Sequence, residues 1–482
     1  MKAQVKRGEE KMKVKVQIVI EHEGDDTPII EEVACLWRGD LCPETLGLSL
    51  DEGKGLLARI QETMVTHQAA DYVEEQRACS HCGKRRGNKG KHELVYRSLF
   101  GKLHILSPRL YTCTCQPQEN RSFSPVAELL SERTAPEFLY LQAKWASLMS
   151  YGLTVDLLEE VLPLQASIST VIDHTHAVAE QLEAELGVEQ VMLIEGCERE
   201  WEALPDPGEP LIVGIDGGYV HARDGDNRKA GWFEVIVGKS MQAGSEAKRL
   251  AFVNDYDQKP KRRLYEMLES QGLQMNQAIT FLSDGGDTVR NLQLYLSPQA
   301  EHLLDWFHVT MRITSLQQMA KGLPNEESVP DVASSLDSTK WYLWHGNVFM
   351  ALEKLDALDF DFTCYEGDSP TVQKVWKAVN DFHHYISVNR PFIPNYDARY
   401  RYGETISTAF VESTVNEVIS RRMVKQQQMR WTKQGAHLLL QVRTQTLNDE
   451  LRDTFHRWYP NMAETEDASI SINHSLEWPR LN

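Results

Sequence analysis

The apolar and polar positions near the N-terminus alternate in one stretch and follow helical spacing in the next. Val14, Val16, Ile18 and Ile20 recur at every second position, which predicts a strand with these residues on one face. The residues at 51–76 predict a helix that ends just before a cysteine-containing segment. We therefore expect the chain to begin with a strand and a helix.

A helix-rich region is predicted at 135–186. Within it Thr154 is placed to cap a short helix, Pro163 ends that helix, and Ser167 opens another. Two helices joined by so short a break are typical of a helix-turn-helix unit, and an ordinary helical hairpin has the same pattern. The next segment, 195–210, contains three prolines and six acidic residues and predicts a linker.

The pattern changes at residue 211, where short apolar runs bounded by glycine or charged turns begin. The predicted elements are strands at 211–215, 232–237 and 249–253, a helix at 259–272, a strand at 278–282, a helix ending at about 296, a strand at 301–306, and a helix at 309–322. Three strands, a helix, and then alternating strands and helices is the order of a ribonuclease-H-like sheet. This part of the chain is therefore predicted to be an α/β domain.

Two aspartates directly follow apolar strands of this predicted sheet. Asp216 comes after the strand at 211–215, Asp284 comes after the strand at 278–282, and each is followed by two glycines. The ends of neighbouring strands in an α/β sheet lie close together, so these carboxylates are placed to share divalent metal ions such as Mg²⁺. A pair of such ions suits phosphodiester chemistry. The alternative is that both are turn aspartates, because Asp-Gly is a common turn signal.

A third carboxylate is predicted on a helix near residue 412. Val411, Val415 and Ile419 form an apolar stripe at helical spacing, and Glu412 borders that stripe, whereas Glu417 points away from it. A metal ligand must face the sheet, so Glu412 is the better candidate. The alternative is a glutamate placed in the first helical turn by the helix dipole.

Basic residues follow this helix, although the chain as a whole is acidic. Arg421, Arg422, Lys425 and Arg430 predict a surface for DNA phosphates, or a solvated helix face. The net charge of −19 opposes DNA binding in general. Local basic segments can nevertheless bind a polyanion when the total charge is negative.

Four of the eight cysteines form two closely spaced pairs. Cys79 and Cys82 are separated by two residues, and Cys113 and Cys115 by one. Two such pairs on a hairpin fit tetrahedral zinc, with His81 as a substitute ligand; free buried cysteines are the alternative. The sequence therefore predicts a zinc-ribbon-like module.

Composition limits the remaining classes. The chain, with 482 residues, is too long for one hydrophobic core, and its 41% hydrophobic and 25% charged residues are ordinary for a globular protein. No apolar run approaches the roughly 20 residues that cross a bilayer, and we expect neither a membrane partner nor a signal peptide. A cytoplasmic protein is predicted, in which cysteines are free or metal-bound rather than paired.

Several of these segments together resemble the DDE transposases of bacterial insertion sequences, specifically the ISKra type, which are related to the Mutator transposases. The similar pieces are Val213-Gly214-Ile215-Asp216-Gly217-Gly218, Leu282-Ser283-Asp284-Gly285, Asp305-Trp306-Phe307-His308, Val411-Glu412-Ser413, Met429-Arg430-Trp431 and Gly435-Ala436, together with the N-terminal cysteine region. Apart from the cysteine region, these pieces span about 220 residues. Any one of them alone would be a weak signal, and their combination is specific.

The resemblance implies a ribonuclease-H-like catalytic core with Asp216, Asp284 and Glu412 as ligands of Mg²⁺ or Mn²⁺. It also implies a role for His308 near the reacting DNA, since an Asp or Cys three residues before a His is a motif of Mutator-related transposases. The alternative, which the residues alone favour, is that Asp305 caps a helix and His308 is buried. The implied partners are terminal inverted repeats, target DNA and further copies of the chain, in the cytoplasm of a bacterium and associated with its nucleoid. A non-catalytic, domesticated transposase acting as a DNA-binding regulator and a stand-alone ribonuclease-H-type nuclease are the rival hypotheses.

Combining the patterns and the resemblance gives a multidomain α/β protein. The predicted parts are an N-terminal strand and helix region at 1–76, a zinc-ribbon-like module at 77–120, a helical DNA-binding region at 121–194, a linker at 195–210, a ribonuclease-H-like domain at 211–460 with a helical insertion at about 323–405, and a C-terminal tail at 461–482.

Overall fold

The computed structural model of the protein describes residues 12–22, 27–115, 121–190, 196–223, 231–296, 300–324, 329–365, 367, 369–424 and 430–462. They form two compact units, one containing the described residues up to 175 and those from 451, and the other containing 176–450. Helices and sheets occur in both units, which confirms the prediction of a multidomain α/β protein. Most of the predicted C-terminal tail at 461–482 lies outside the described residues.

The first unit combines two small antiparallel sheets with helices. Its elements up to the division are β1 (Met12–Ile20), β2 (Ile29–Arg38), α1 (Leu50–Arg77), β3 (Asn88–Ser98), β4 (Gly101–Tyr111), β5 (Ser122–Phe123), α2 (Pro125–Leu129), α3 (Pro136–Leu148), α4 (Tyr151–Val161) and the beginning of α5 (Ile168–Glu185). Strand β1 pairs with β2, and β4 pairs with β3 and β5. Apolar residues of β3 and β4 pack against Val73 at the end of α1 and Val126 in α2, forming a small core.

The helix pair α4 and α5 differs in one detail from its prediction. Ser150, rather than Thr154, caps α4, because the Ser150 hydroxyl accepts a hydrogen bond from the Leu153 amide. Thr154 is instead buried inside the helix, and its hydroxyl donates to the Ser150 carbonyl. The chain leaves helical geometry before Pro163 and re-enters it after Ser167, as predicted.

The second unit contains the remaining elements except the last helix. They are α6 (Glu198–Glu202), β6 (Leu211–His221), β7 (Trp232–Met241), β8 (Lys248–Val253), α7 (Pro260–Glu269), β9 (Ile279–Ser283), α8 (Asp287–Leu296), β10 (Glu301–Leu304), α9 (Trp306–Ala320), α10 (Val332–Trp344), α11 (Val348–Thr363), α12 (Pro370–Val388), α13 (Tyr396–Arg401), α14 (Ala409–Val415), a π-helical segment (Asn416–Val424) and α15 (Lys433–Leu447). The predicted linker at 195–210 includes α6.

A five-stranded sheet, in the order β10-β9-β6-β7-β8, lies at the centre of this unit. Strands β6, β7 and β8 are antiparallel neighbours, while β9 runs parallel to β6 and β10 runs parallel to β9. Apolar residues on one face of the sheet pack against α7 and α8, with Val213 and Ile215 of β6 completely buried. The predicted elements are present, but β6 continues to residue 221 rather than ending at 215.

The predicted insertion at about 323–405 is helical and has a core of its own. Helices α9 to α12 pack through completely buried residues such as Leu336, Leu355 and Val379. This core joins the sheet at Leu304, where the Tyr396 hydroxyl donates a 2.7 Å hydrogen bond to the Leu304 carbonyl. The insertion therefore holds the end of β10.

The final helix, α16 (Leu451–Trp458), belongs to the first unit, whereas the sequence placed 451–460 in the catalytic domain. The Phe455 ring packs 5.4 Å from the Tyr140 ring, and Arg452 forms a 2.8 Å ion pair with Glu137. The helix is strongly amphipathic, and its apolar side is covered by α3. Among the described residues, no helix combines the length and the apolar character needed to cross a membrane.

Candidate functional site

Asp216 lies in the middle of β6, on the face of the sheet opposite the α7–α8 core. Gly214 and Gly218 flank it on the same face, because alternate residues of a strand point the same way. A Cβ atom added to Gly214 would collide with Val411 of α14, and one added to Gly218 would lie 2.7 Å from Ile419 of the π-helical segment. The helix that carries Glu412 therefore crosses β6 directly over both glycines.

The space beside Gly218 is occupied by the helix that crosses β6. A Cβ atom at this position would meet the side chains of Ile419 and Val415. The absence of a side chain there lets an apolar helix face contact the strand backbone. It also places the aspartate beside that helix.

Asp284 lies just beyond the end of β9, as predicted. Strands β6 and β9 are parallel, and Gly214 pairs with Leu282, so Asp216 and Asp284 occupy equivalent positions two residues farther along. An Asp284 side-chain oxygen accepts a 2.9 Å hydrogen bond from the Gly286 amide. The Tyr385 hydroxyl donates a 2.9 Å bond to the Asp284 carbonyl. The two aspartates are therefore brought to one part of the sheet.

The loop after Asp284 requires glycine at position 285. Gly285 has a φ angle of +83°, which residues with side chains rarely adopt. A Cβ atom there would lie 2.9 Å from a Leu304 methyl group and would collide with the Asn389 side chain. Asn389 itself is held by a 2.9 Å bond to the Tyr385 carbonyl. Helix α12 of the insertion thus fixes the backbone around Asp284.

His308 lies on α9 and faces Asp216. Its Nε2 atom is 3.9 Å from an Asp216 oxygen, and its Nδ1 atom is 2.7 Å from an oxygen of Asp305. A carboxylate only accepts hydrogen bonds, so Nδ1 carries a proton that it donates to Asp305. His308 is therefore oriented by the buried Asp305 towards the half-buried Asp216.

Asp305 connects α9 with the start of α14. It caps α9 by accepting a 2.8 Å bond from the Phe307 amide, and the same oxygen accepts a 2.9 Å bond from the Thr408 amide. The Thr408 hydroxyl donates to the other oxygen. Asp305 and Thr408 are both completely buried, and Thr408 is the residue that precedes α14. One carboxylate thus fixes both His308 and the helix that bears Glu412.

Glu412 and Glu417 have different surroundings. Glu412 is exposed, and its side chain has no hydrogen bond or ion pair with any residue that the structure describes. Glu417 forms a 3.0 Å ion pair with Arg249 of β8. Glu417 is therefore already neutralised by a cation, whereas Glu412 is not; the assignment of Glu412 as the third ligand stays a prediction.

The three predicted metal ligands are grouped loosely rather than tightly. Within the described part of the chain, the clusters of three or more ligand groups whose atoms all lie within 4.8 Å do not include Asp216, Asp284 and Glu412. A pair of cations about 4 Å apart, each roughly 2.1 Å from its oxygens, separates ligands on opposite sides by as much as about 8 Å. The donor set, carboxylate oxygens without a bound arginine or lysine, fits Mg²⁺ or Mn²⁺.

Burial and charge alter the acidity of this site. Burial raises the pKa of Asp216, and the nearby charges of Asp284 and Asp305 raise it further, while His308 and the Gly217 amide oppose the change. Burial lowers the pKa of His308, but its hydrogen bond to Asp305 and the surrounding carboxylates outweigh that effect and raise it overall. Carboxylates that repel one another in a half-buried pocket favour binding of a cation.

The predicted basic surface is only partly supported. Arg421 and Arg430 are exposed, and Lys425 lies outside the described residues. The inclusion of Arg422 is wrong, because its side chain is completely buried, with the guanidinium 5.2 Å from the centre of the Trp431 ring. Arg422 therefore has a role in packing.

The four paired cysteines come together in the first unit. The sulfur atoms of Cys79 and Cys115 are 3.5 Å apart, those of Cys82 and Cys113 are 3.4 Å apart, and all four lie within 4.8 Å of one another. A tetrahedral zinc ion with Zn–S bonds of about 2.3 Å needs sulfur separations of about 3.8 Å. This cluster can hold zinc, and His81 is exposed and outside it.

Backbone amides also favour the metal-binding form of this cluster. Those of Cys82 and His81 lower the pKa of Cys79 to about 6. Hydrogen bonding with Cys113 raises the pKa of Cys115 to about 12. Such opposite shifts arise among adjacent thiols because ionising one opposes ionising the next.

A second polar cluster was not anticipated from the sequence. Glu183, Asp257 and His437 lie within 4.8 Å of one another, but Arg263 sits among them, 2.8 Å from Glu183 and 3.0 Å from Asp257. Arginine keeps its charge in proteins, so it occupies the position that a cation would take. We interpret this cluster as an internal ion pair that joins α5, α7 and α15.

Comparison with known proteins adds little. No family model matches the sequence, and no curated protein matches it. A solved structure described as the crystal structure of NurA with manganese covers 53% of this chain and 74% of its own, at 11% sequence identity and a TM-score of 0.10. A TM-score this low carries no argument about the fold or the chemistry.

Proposed function

We propose that this protein is a DNA transposase of the ISKra type that cleaves transposon ends and joins them to target DNA. The observation that carries the proposal is the arrangement of Asp216 and Asp284 at equivalent positions of parallel neighbours β6 and β9, beneath the helix that bears Glu412. His308 completes the group from α9.

The strand order supports a ribonuclease-H-like core. Three antiparallel strands followed by two parallel ones, with the first strand in the centre, bring Asp216 and Asp284 together. The catalytic helix returns over the central strand after a long helical insertion. Since a fold hosts many activities, the proposal rests on the acidic site rather than on the fold.

In the proposed mechanism Asp216, Asp284 and Glu412 would hold two Mg²⁺ or Mn²⁺ ions, which would supply positive charge to the reacting phosphate and lower the pKa of a water molecule. Water attacks a phosphodiester at the transposon end; the new P–O bond forms as the P–O3′ bond breaks, leaving a 3′-hydroxyl. That hydroxyl attacks a phosphodiester of the target, forming a new P–O bond and releasing a target 3′-hydroxyl. His308 lies close enough to the carboxylates to bind DNA or accept a proton.

The first unit contributes DNA recognition to this proposal. Its four-cysteine module holds zinc, and basic residues such as Lys84, Arg85 and Lys89 near the knuckles suit contacts with terminal inverted repeats. Helices α4 and α5 act as a helix-turn-helix unit, and Arg421 and Arg430 in the second unit bind phosphates. Joining two ends to one target requires at least a dimer, acting on the bacterial nucleoid.

The test is cleavage and strand transfer on a labelled transposon end, with Mg²⁺ or Mn²⁺. The wild type is compared with Asp216→Asn, Asp284→Asn and Glu412→Gln, which preserve side-chain size, and with Glu417→Gln as the matched control. We expect metal-dependent strand transfer that falls at least a hundredfold in the first three variants and persists in the control. Specific binding of the end without cleavage by the wild type under either metal would leave a DNA-binding regulator.

A further inference from the structure

A cationic side chain lies beside the acidic site without neutralising it. Arg312 is on α9, four residues after His308, so the two side chains project from the same face of that helix. Its guanidinium carbon is 4.0 Å from the centre of the Tyr385 ring. The Tyr385 hydroxyl in turn donates to the Asp284 carbonyl. A single ring therefore contacts both Arg312 and the loop that carries Asp284.

The environment of Arg312 is that of a positioned but available cation. Its side chain is exposed, and within the described part of the chain it forms no ion pair with a carboxylate. Burial raises the pKa of Tyr385, and both the positive charge of Arg312 and its hydrogen bond with the tyrosine hydroxyl oppose that rise. Stacking on an aromatic face limits guanidinium motion while leaving its N–H groups free to donate.

The chemistry of this position indicates an anionic ligand. Arg290, another arginine close to the Asp284 loop, donates to the Gly285 carbonyl and the Asn389 side chain and stacks on Phe392. Arg312 instead hydrogen-bonds with the Tyr385 hydroxyl, and the remaining donors of its guanidinium fork form no ion pair with a carboxylate of the described residues. Such a fork matches two oxygens of a phosphate, and a phosphodiester bound at the acidic site would bring its neighbours within reach.

We propose that Arg312, held against the Tyr385 ring, binds a backbone phosphate of the DNA strand that enters the acidic site and so fixes the scissile phosphodiester relative to Asp216 and Asp284. This inference rests on the proposed function for its ligand. It adds a substrate-binding residue that is absent from the predicted basic surface and is carried by a different element of the unit.

The test measures binding of the transposon end at several salt concentrations for the wild type, Arg312→Lys, Arg312→Ala and Lys340→Ala. Lys340 is an exposed lysine of α10 and serves as the charge-matched control. We expect Arg312→Ala to weaken binding on the order of tenfold and to reduce the salt slope by about one, with Arg312→Lys in between. Thermal melting of each variant confirms that it is folded.

A second arm locates the contact. Neutral methylphosphonates replace single phosphates near the cleavage position, and binding is measured for the wild type and Arg312→Ala. One methylphosphonate should weaken DNA binding by the wild type but not by Arg312→Ala, because the phosphate change and the protein change remove the same interaction. Tyr385→Phe keeps the ring and should retain binding, whereas Tyr385→Leu should resemble Arg312→Ala.

The outcomes separate this inference from the proposed function. If the wild type cleaves and Arg312→Ala binds with an unchanged salt slope and additive methylphosphonate effects, the Arg312 contact is overturned and the transposase proposal stands. If the wild type binds but never cleaves, the transposase proposal fails, and the salt slope and methylphosphonates still decide whether Arg312 touches DNA.

Discussion

Removing the Asp305 carboxylate should destabilise the second unit and uncouple His308 from α14, the helix that bears Glu412. Asp305 is completely buried and accepts bonds from the Phe307 amide, the Thr408 amide and hydroxyl, and His308. Asp305→Ala leaves these donors unsatisfied, and breaking a buried charge network costs about 4 kcal/mol. For a unit of this size, we expect the melting temperature to fall by roughly 10 °C.

Asp305→Asn is the more informative variant. Its amide oxygen can still accept from the Phe307 and Thr408 backbone, so most of the packing is retained. Its NH₂ group, however, must donate to His308 Nδ1, which moves the imidazole proton to Nε2 and removes the charge that raises the pKa of His308. We expect a smaller loss of stability than for Asp305→Ala, together with a changed pH response.

The sign of that response follows from the direction of the His308 shift. A histidine whose pKa is raised in the folded state contributes stability that is complete below its unfolded pKa, about 6.5. The contribution is lost as the pH rises through the higher folded value. The wild type should therefore lose more stability than Asp305→Asn as the pH rises from about 6.5 through the higher folded-state pKa of His308.

Chemical denaturation across this pH range, monitored by circular dichroism, measures the difference between the two proteins. His308→Asn provides the control, since it removes the titrating group and should give the same flattened pH dependence. An Asp305→Ala protein as stable as the wild type, or an Asp305→Asn protein with an unchanged pH dependence, would refute the idea that this carboxylate connects His308 to α14.

Two further predictions concern the packing over β6 and the cysteine cluster. Gly218→Val should destabilise the second unit by about 2 kcal/mol or more in thermal melting, because the new side chain would displace Ile419. Gly53→Ala in α1, where an added Cβ atom contacts nothing, should be neutral or slightly stabilising. Equal melting temperatures for the two variants would contradict the close approach of α14 to β6. Purified protein should contain one zinc ion per chain by elemental analysis, and Cys82→Ser should reduce that content while Cys197→Ser, outside the cluster, leaves it unchanged. A wild type without zinc under reducing purification, or equal zinc in both variants, would count against the site.

The local patterns predicted the second unit well because they are direct consequences of burial. The run at 211–215 is apolar because its odd-numbered residues contact α7 and α8 and its strand is covered on both faces. The spacing of apolar residues, together with the glycines and prolines that end helices and strands, located these elements to within a few residues. They did not locate the end of β6, since the glycines after Asp216 resemble a turn in sequence and remain strand in the structure.

The site was predicted less completely, for reasons that lie in tertiary contacts. Arg422 looks like its exposed neighbour Arg421 in sequence, and only the path of the π-helical segment determines that it is buried against Trp431. Thr408 and Tyr385 carry no local signal at all. Their importance depends on Asp305 and Asp284, which are about a hundred residues away along the chain.

These contacts explain why Asp284 and Glu412 lie so far apart along the chain. A bare sheet needs only a short connection from α9 to the helix over β6, and the sequence therefore presents the intervening helices as a separate addition. Tyr385 of α12 and Asn389, the residue after that helix, nevertheless hold the backbone around Asp284, and Tyr396 bonds to the end of β10. Because Arg312 also lies against the Tyr385 ring, the insertion fixes the Asp284 loop and a cation at once. Shortening the insertion should therefore disrupt the acidic site itself, even where the five strands still form.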